Sequence, residues 1–327
     1  MSRFGIDEDR GSTRRVVHCG LLSGQLTIPS SPIPTGSCPL IPLKRVDHIS
    51  MAAPSWKRQA EHLEKLLGFK LLHDFGADSS GAGFSGSVSQ VPGTDIEFEV
   101  IEPAGPSSFV QKFLDEGGPG LHHITLEVHD LEEACAELER QGIKPFGGIT
   151  DDGSWRITYI HPKDSGGILW QLFVPKRKSA ATVDRSTGKG AVGLKRVDHV
   201  SLAVPDLDRQ VEWQVRVIGM VEQGRWTDDY LGYTGCNLDI PGSQLKFEII
   251  APTRPDSFVQ RFLDTRRPGM HHICCEVESV EGAMQGLRNN DIEPHGGVVD
   301  NDWKKHTFLH PRDSGGVLFQ LFEERPQ

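Results

Sequence analysis

The chain has 327 residues, a length that predicts two domains because a single hydrophobic core rarely serves so many residues. Hydrophobic residues make up 37% and charged residues 24%, which is typical of a globular protein, and no apolar run is long enough to span a membrane. The net charge of −10 argues against a nucleic-acid backbone as the main partner. Six cysteines without CxxC spacing indicate reduced thiols in a cytoplasmic protein. The N-terminus carries Asp7, Glu8 and Asp9 and lacks an apolar stretch behind a basic start, so we expect no signal peptide.

Taken in order, the chain begins with a stretch rich in Ser, Pro and Gly. Residues 1–42 contain TIPSSPIP and can bury little apolar surface, which predicts a disordered or draped extension. From residue 43 the sequence alternates short apolar strands with two amphipathic helices, in the order β-α-β-β-β repeated twice. The first helix is predicted at Trp56–Leu67, and a later strand at Ile143–Phe146.

The second half of the chain repeats the first. The heptapeptide KRVDHIS at Lys44–Ser50 returns as KRVDHVS at Lys195–Ser201, 151 positions later. Further pairs are separated by 149 positions, so two residues are lost from the second copy between Gly68 and Glu99. We therefore predict an α+β fold of four β-α-β-β-β modules in two domains, at residues 43–175 and 194–323, joined by a polar linker at 176–193.

Each predicted domain gathers four polar side chains from four strands. Side chains alternate between the two faces of a strand, and in each of these strands apolar residues oppose one polar residue. The resulting sets are His48, Glu99, His123 and Gln171 in the first half, and His199, Glu248, His272 and Gln320 in the second. Imidazole nitrogens together with carboxylate and amide oxygens suit a divalent cation such as Zn, Ni, Co, Mn or Fe(II). The adjacent His122 and His271 are expected to pack or to support the ligands.

Three segments of the first half resemble the vicinal oxygen chelate superfamily, which includes glyoxalase, bleomycin resistance and extradiol dioxygenase proteins. They are VDHI at 46–49, FVQKFLDEGGPGLHHITLEV at 109–128 and HPKDSGGIL at 161–169, and they look most like methylmalonyl-CoA epimerase-like domains. The resemblance implies paired modules that form two cup-shaped mixed β-sheets with helices outside. It also implies metal ligands at the eight positions given above.

The sequence departs from the epimerase pattern on the last strand of each domain. Where epimerase- and glyoxalase-like members usually have a glutamate, this chain has Gln171 and Gln320, whose amides cannot act as bases. The further carboxylate of epimerases corresponds here to Ser87 and Cys236. If the chain is an enzyme, Glu99 and Glu248 are therefore the candidates for the catalytic base.

Three functions fit this pattern. The first is a divalent-metal-dependent isomerase, epimerase or lyase acting on a small carbonyl or enolisable substrate. The second is an Fe(II)-dependent ring-cleaving or keto-acid dioxygenase, and the third is a non-catalytic resistance protein that sequesters a small molecule. In all three the partner is a small molecule rather than a nucleic acid or membrane, and self-association into a homo-oligomer is open.

Overall fold

A computed structural model describes residues 41–76, 83–151, 155–176, 188–300 and 304–325. Most of the predicted extension, residues 1–40, lies outside this part of the chain, and so does 177–187 of the predicted linker. The described end of the extension packs against the fold, because Ile41 is buried in the core. The described end of the linker lies along the first helix, where the Ala191 N–H donates to the carbonyl of Lys65 over 3.0 Å.

The first half forms one mixed sheet of eight strands. Its strands lie in the order β2-β3-β4-β1-β5-β8-β7-β6. They are β1 (Leu43–Ala52), β2 (Lys70–Phe75), β3 (Phe84–Gln90), β4 (Glu97–Pro103), β5 (Gly120–Val128), β6 (Phe146–Asp151), β7 (Trp155–Ile160) and β8 (Leu169–Pro175). The helices of this half are α1 (Trp56–Leu67), α2 (Phe109–Gly117) and α3 (Leu131–Arg140), with a 3₁₀ turn at Pro162–Asp164.

The second half forms a second eight-stranded sheet with the same topology, in the order β10-β11-β12-β9-β13-β16-β15-β14. Its strands are β9 (Leu194–Ala203), β10 (Val221–Asp228), β11 (Tyr233–Asp239), β12 (Lys246–Pro252), β13 (Gly269–Val277), β14 (His295–Asp300), β15 (Lys304–Leu309) and β16 (Leu318–Glu324). Its helices are α4 (Leu207–Trp213), continued by a π-helical segment at Gln214–Ile218, then α5 (Phe258–Arg266), α6 (Val280–Arg288) and α7 (Pro311–Ser314).

Each half thus contains two β-α-β-β-β modules joined side by side. In the first half β1 pairs in parallel with β4 of its own module and antiparallel with β5 of the next module. The two modules therefore meet at the centre of the sheet, and the second half repeats this arrangement with β9, β12 and β13. The predicted α+β class with two paired-module sheets is confirmed. Among the described residues, no helix is both long and apolar enough to cross a membrane.

One predicted strand is displaced. The segment expected at Ile143–Phe146 is not a strand, and β6 begins only at Phe146. The Ile143 N–H instead donates to the carbonyl of Leu138 over 2.9 Å and, with Gly142 in the left-handed conformation, closes the end of α3. An apolar residue just after a glycine cap often packs back on the last turn of the helix. Ile143 is used in this way, so it is not available to start the strand.

The two halves pack against each other through reciprocal contacts. The Gln59 side chain donates to the carbonyl of Ser314 over 2.7 Å, and Gln210, its equivalent in the second half, donates to Ser165 over 3.0 Å. Between the halves the rings of Trp170 and Phe247 lie 5.6 Å apart, both fully buried. One hydrophobic core extends through both halves. The duplicated chain therefore has the pseudo-two-fold contact of a symmetric dimer within one polypeptide.

The contact between the halves explains why the string Asp-Ser-Gly-Gly ends in glycine in both copies. Gly316 has φ of +113°, and a Cβ built on it would lie 2.1 Å from the carbonyl oxygen of Pro119. Gly167 has φ of +106° and would meet Pro268 at the same distance. Both positions need the left-handed region and leave no room beside a backbone atom, so only glycine fits.

We predict that Gly316→Ala destabilises the protein. A side chain at this φ costs about 1–2 kcal/mol, and a clash with backbone adds roughly 1–3 kcal/mol. Chemical denaturation should therefore show the free energy of unfolding lowered by roughly 2–5 kcal/mol, with a similar loss for Gly167→Ala. The matched control is Gly142→Ala, where φ is +76° but no atom lies within 4 Å, and which should cost about 1 kcal/mol. Equal losses in all three variants would contradict the packing argument.

Candidate metal centres

Three of the predicted ligands of the first half converge beside the middle of the sheet. His48 on β1, Glu99 on β4 and His123 on β5 bring one nitrogen or oxygen atom each to within 4.8 Å of one another. The Oε2 atom of Glu99 lies 3.8 Å from Nε2 of His48 and 3.5 Å from Nε2 of His123. All three residues are buried, and their strands lie side by side at the centre of the sheet. We call this group the first centre.

The second half holds an equivalent group, which we call the second centre. It consists of His199, Glu248 and His272, whose ligand atoms also lie within 4.8 Å of one another. The two carboxylate oxygens of Glu248 lie 3.7 Å from the Nε2 atoms of His199 and His272 respectively. Two imidazoles and one carboxylate thus meet in each half of the chain.

Several atoms of the two centres are buried without a hydrogen-bond partner among the described residues. They are Oε2 of Glu99 and the Nε2 atoms of His123, His199 and His272. Leaving a buried polar atom unpaired costs about 1–3 kcal/mol, so four such atoms directed into two small spaces need an explanation. A divalent cation supplies it, because neutral imidazole and carboxylate are the donors that such ions prefer. The residues present therefore fit a metal ion in each half.

The predicted fourth ligand, Gln171, lies beside the first centre and is connected to it through Thr125. The Thr125 hydroxyl donates to Oε1 of Gln171 over 2.7 Å and lies 2.8 Å from Nε2 of His48. The Gln171 amide nitrogen donates to the hydroxyl of Tyr159 over 3.0 Å. In the second half Gln320 takes the equivalent position, and its Oε1 accepts from the thiol of Cys274 at 3.2 Å.

A β-bulge brings a carboxylate to the back of the His48 ring. Along β1, Val46 pairs with Leu126 and His48 pairs with Thr125, so Asp47 has no opposite residue. Released from the regular alternation, Asp47 turns toward its neighbour, and its Oδ2 lies 2.9 Å from Nδ1 of His48. This contact fixes the tautomer so that Nε2 faces the centre, as in carboxylate–histidine–metal sites.

The Asp47 carboxylate is itself held by the Arg45 side chain, which a second carboxylate holds in turn. Arg45 forms an ion pair with Asp47 and donates through Nε to Oε2 of Glu127 over 2.7 Å. Lys44 pairs with the other oxygen of the buried Glu127. This chain of contacts, which we call the His48 relay, uses three of the first four residues of the repeated KRVDH string, namely Lys, Arg and Asp.

The second half repeats the relay. Its ion pairs join Lys195 and Arg196 to Glu276, and Arg196 to Asp198. The Oδ2 atom of Asp198 lies 2.8 Å from Nδ1 of His199, across an equivalent bulge. The sequence analysis assigned no role to these aspartates, although the unchanged Lys-Arg-x-Asp-His spacing in both copies is a signal for one.

The second histidine of the first centre is supported by its own neighbour. The Nδ1 atoms of His122 and His123 lie 2.9 Å apart, and His122 packs against the rings of Phe109 and Phe113. His271 contacts His272 in the same way in the second half. His122 and His271 therefore pack beside the second histidine of each centre, as expected.

Burial and nearby charge shift the pKa values of the first-centre histidines in opposite directions. Burial, with the neighbouring His122 and His48, holds the pKa of His123 well below its usual range, and burial lowers the pKa of His122 to about 4. Burial also acts to lower the pKa of His48, but the charges of Glu99 and Asp47 outweigh it and raise the pKa. At neutral pH His123 is therefore neutral, which is the form that binds a cation.

The second centre shows the same pattern. Burial, with His271 and His199, holds the pKa of His272 well below its usual range. For His199 burial is outweighed by the neighbouring Cys274 and the carboxylate of Glu248, which raise the pKa to about 10.

The surroundings of the two centres differ in charge. Lys304 and His306 lie close enough to His272 to affect its pKa, and the equivalent positions of the first half hold Trp and Ile. Next to the first histidine of each centre, β4 carries Glu97 where β12 carries Lys246. The second centre is therefore the more basic of the two.

Comparison with known proteins agrees with this architecture. The family model described as Glyoxalase/Bleomycin resistance protein/Dioxygenase superfamily matches the chain twice, at residues 47–159 and 198–308. Methylmalonyl-CoA epimerase from Homo sapiens is 31% identical over 159 residues, which cover 46% of this chain and 88% of that protein. 3-Dehydroshikimate dehydratase from Pseudomonas aeruginosa is 25% identical over 292 residues, 80% of this chain and 45% of that protein.

Among solved structures, a mutant of 4-hydroxymandelate synthase from Streptomyces coelicolor has a similar fold over most of both chains. The TM-score is 0.66 at 15% identity, and the match covers 87% of this chain and 94% of that one. The likeness in fold extends over both halves, and the family model matches each half separately. The chain belongs to the glyoxalase/bleomycin resistance protein/dioxygenase superfamily.

Proposed function

We propose that the chain is a divalent-metal-dependent enzyme of the isomerase, epimerase or lyase type, acting on a small carbonyl or enolisable substrate. The observation that carries this proposal is the pair of buried His–Glu–His groups. In each group the three ligand atoms lie close together, and two of the group's buried atoms have no hydrogen-bond partner among the described residues. We assign the metal ligands to eight residues, with Zn, Ni, Co, Mn or Fe(II) as the candidate ions. They are His48, Glu99, His123 and Gln171 in the first half and His199, Glu248, His272 and Gln320 in the second.

The chemistry follows from the donor set. A metal ion held there would polarise a substrate carbonyl and stabilise negative charge on its oxygen. Glu99 would leave the ion to serve as the general base, because it is the one carboxylate among the four ligands assigned to the first centre. Gln171 cannot take this role, since an amide accepts no proton near neutral pH. Glu99 would take a proton from the carbon next to the carbonyl, and Glu248 would do so in the second half.

One relative supports this reaction class. The similar proteins include a methylmalonyl-CoA epimerase that is matched over 88% of its length, and epimerisation next to a carbonyl removes a proton from carbon. The basic surroundings of the second centre, with Lys246 and Lys304, favour a substrate that carries an anionic group. We also propose that the protein acts in the cytoplasm, on small molecules rather than on nucleic acid or membrane.

A dioxygenase is the second candidate. Two histidines and one carboxylate that leave other positions open are the donor set of non-haem Fe(II) oxygenases. A sequestering protein is less consistent with the site, because it needs neither ligand set, and both sets are present and buried.

A second prediction concerns Glu99. In the metal-loaded protein, Glu99→Gln combined with Glu248→Gln should slow exchange of the substrate C–H proton roughly 100-fold or more, the usual loss when a general base is removed. Proton NMR in D2O, with methylmalonyl-CoA and simple 2-oxo acids as probes, measures this exchange. The exposed Glu116→Gln variant, on α2, should exchange as the unaltered protein does.

Two results would contradict the assignment. If protein purified without chelators holds no first-row metal and binds none when metal is added, the proposal of a metal-dependent enzyme is wrong. If iron alone supports activity and the reaction consumes oxygen with a keto acid, the dioxygenase is the correct candidate.

A third prediction concerns the His48 relay. Asp47→Asn keeps the shape of the side chain but removes the charge that holds His48 in its tautomer, so metal affinity of the first centre should fall about 10–100-fold. Competition with a chromophoric chelator measures the affinity, and Asp198→Asn should weaken only the second centre. An Asp47→Asn variant that binds two ions as tightly as the unaltered protein would show that the relay serves folding alone.

A further inference from the structure

The two sheets differ in the side chains that lie beside their metal centres. Strand β7 of the first half pairs with β8, and Tyr159 lies directly opposite Gln171. In the second half β15 pairs with β16, and Phe308 lies directly opposite Gln320. Opposite residues of an antiparallel pair point to the same side of the sheet, and so does every second residue along each strand. Alternate residues of β7 and β15 therefore share the side on which the proposed ligands lie, which we call the ligand face.

Along β7 the ligand face is apolar. Counting back from Tyr159, the alternation places Ile157 and Trp155 on this face. Phe146 of the edge strand β6 lies opposite Tyr159 and extends the same surface. Trp155 is 41% exposed and Phe146 is 50% exposed, so a substrate can reach both rings. This part of the first half suits an apolar or aromatic group.

Along β15 the equivalent positions of the ligand face are basic. His306 and Lys304 stand where the first half has isoleucine and tryptophan. The Nζ atom of Lys304 lies 5.6 Å from the centre of the Phe322 ring, on the ligand face of β16. Burial and two neighbouring histidines lower the pKa of His272, and Lys304 and His306 lower it further, so both lie near the second centre.

The ring of His306 has a buried nitrogen that lacks a partner. Its Nδ1 atom is buried without a hydrogen-bond partner among the described residues. Burial, together with the charge of Lys304, lowers the pKa of His306 to about 4. The ring is therefore neutral at neutral pH and has one N–H to donate. An oxygen of a bound anion would accept from this ring and lie beside the Lys304 ammonium.

Two carboxylates near this face have cations beside them. Glu324 lies opposite Lys304 in the strand pair, and its Oε1 lies 3.7 Å from a guanidinium nitrogen of Arg196. Asp239 lies opposite Lys246. The Glu324 side chain is 68% exposed, and an exposed carboxylate binds a lysine weakly because water screens the pair. It therefore competes little with an anion that the metal also holds.

We propose that the two halves bind different substrates. The second takes a carbonyl compound with a carboxylate tail, which Lys304 and His306 bind, and the first takes one with an apolar tail. This inference rests on the proposed function and deepens it, because the metal would hold the carbonyl end of either substrate. One ammonium and one neutral imidazole match the single charge of a carboxylate. Against Trp155 and Ile157 the same carboxylate would lose its hydration without a cation to replace it.

Two probes of similar shape test the inference. 2-Oxoglutarate and 5-methyl-2-oxohexanoate share the 2-oxo acid end, and the distal carboxylate of the first is an isopropyl group in the second. Calorimetric titration of the full-length, Zn(II)-saturated protein measures the binding of each. We expect one tight site per chain for each probe, and we expect saturation with one probe to leave the tight site of the other available.

Exchanging the two pairs of residues assigns each probe to a half. Lys304→Trp with His306→Ile should weaken 2-oxoglutarate binding roughly 10–100-fold, the usual effect of losing hydrogen bonds to a charged group. Trp155→Lys with Ile157→His makes the converse change and should create a second tight site for 2-oxoglutarate. The matched control is Lys305→Gln, which removes a lysine from the same strand on the opposite face, where it pairs with Glu323. This variant should bind both probes as the unaltered protein does.

The outcomes separate this inference from the function on which it rests. Two sites of equal affinity for either probe, or binding of neither probe, would overturn the divided specificity. So would an unchanged 2-oxoglutarate affinity when Lys304 and His306 are replaced. If the probes divide between the halves as expected but neither exchanges its C–H proton in D2O, the divided specificity stands and the proposed enzyme is wrong. The converse exchange in the first half keeps the test decisive if the second-half variant fails to fold.

Discussion

The hydrogen bond between Asp47 and His48 is the contact on which the first centre depends. It exists because a bulge removes Asp47 from the strand alternation, and it is held in place by Arg45 and the buried Glu127. Buried charges are stable only when each one is paired, and removing one partner typically costs about 3–5 kcal/mol. The ligand orientation and the local stability of β1 are therefore maintained by the same set of contacts.

The contact between the halves places its own demands on the chain. Glycines at 167 and 316 allow each half to approach a backbone carbonyl of the other, and Gln59 and Gln210 donate across the contact in both directions. A single core then extends through both sheets. Strands β1, β4, β5 and β8 are backed by this core, so the atoms of the first centre rest on rigid elements rather than on loops.

The sequence predicted the repeat, the module order and the convergence of His48, Glu99 and His123, because strand alternation and the spacing of the copies carry that information. It did not predict the role of Asp47, since a bulge changes the face of a residue without a clear local signal. It also could not place the Gln171 oxygen, which depends on a hydroxyl one strand away. The displaced start of β6 shows the same limit, because a helix end competed for Ile143.

The reciprocal contacts have a consequence for the evolution of the site. In a homodimer one gene specifies both centres, so every substitution appears twice and the two sites stay identical. Joining the subunits in one polypeptide removes that constraint while keeping the packing that symmetry first produced. Thr125 and Cys274, or Glu97 and Lys246, can then differ at equivalent places. Fusion gives such a protein the means to specialise one site without losing the other.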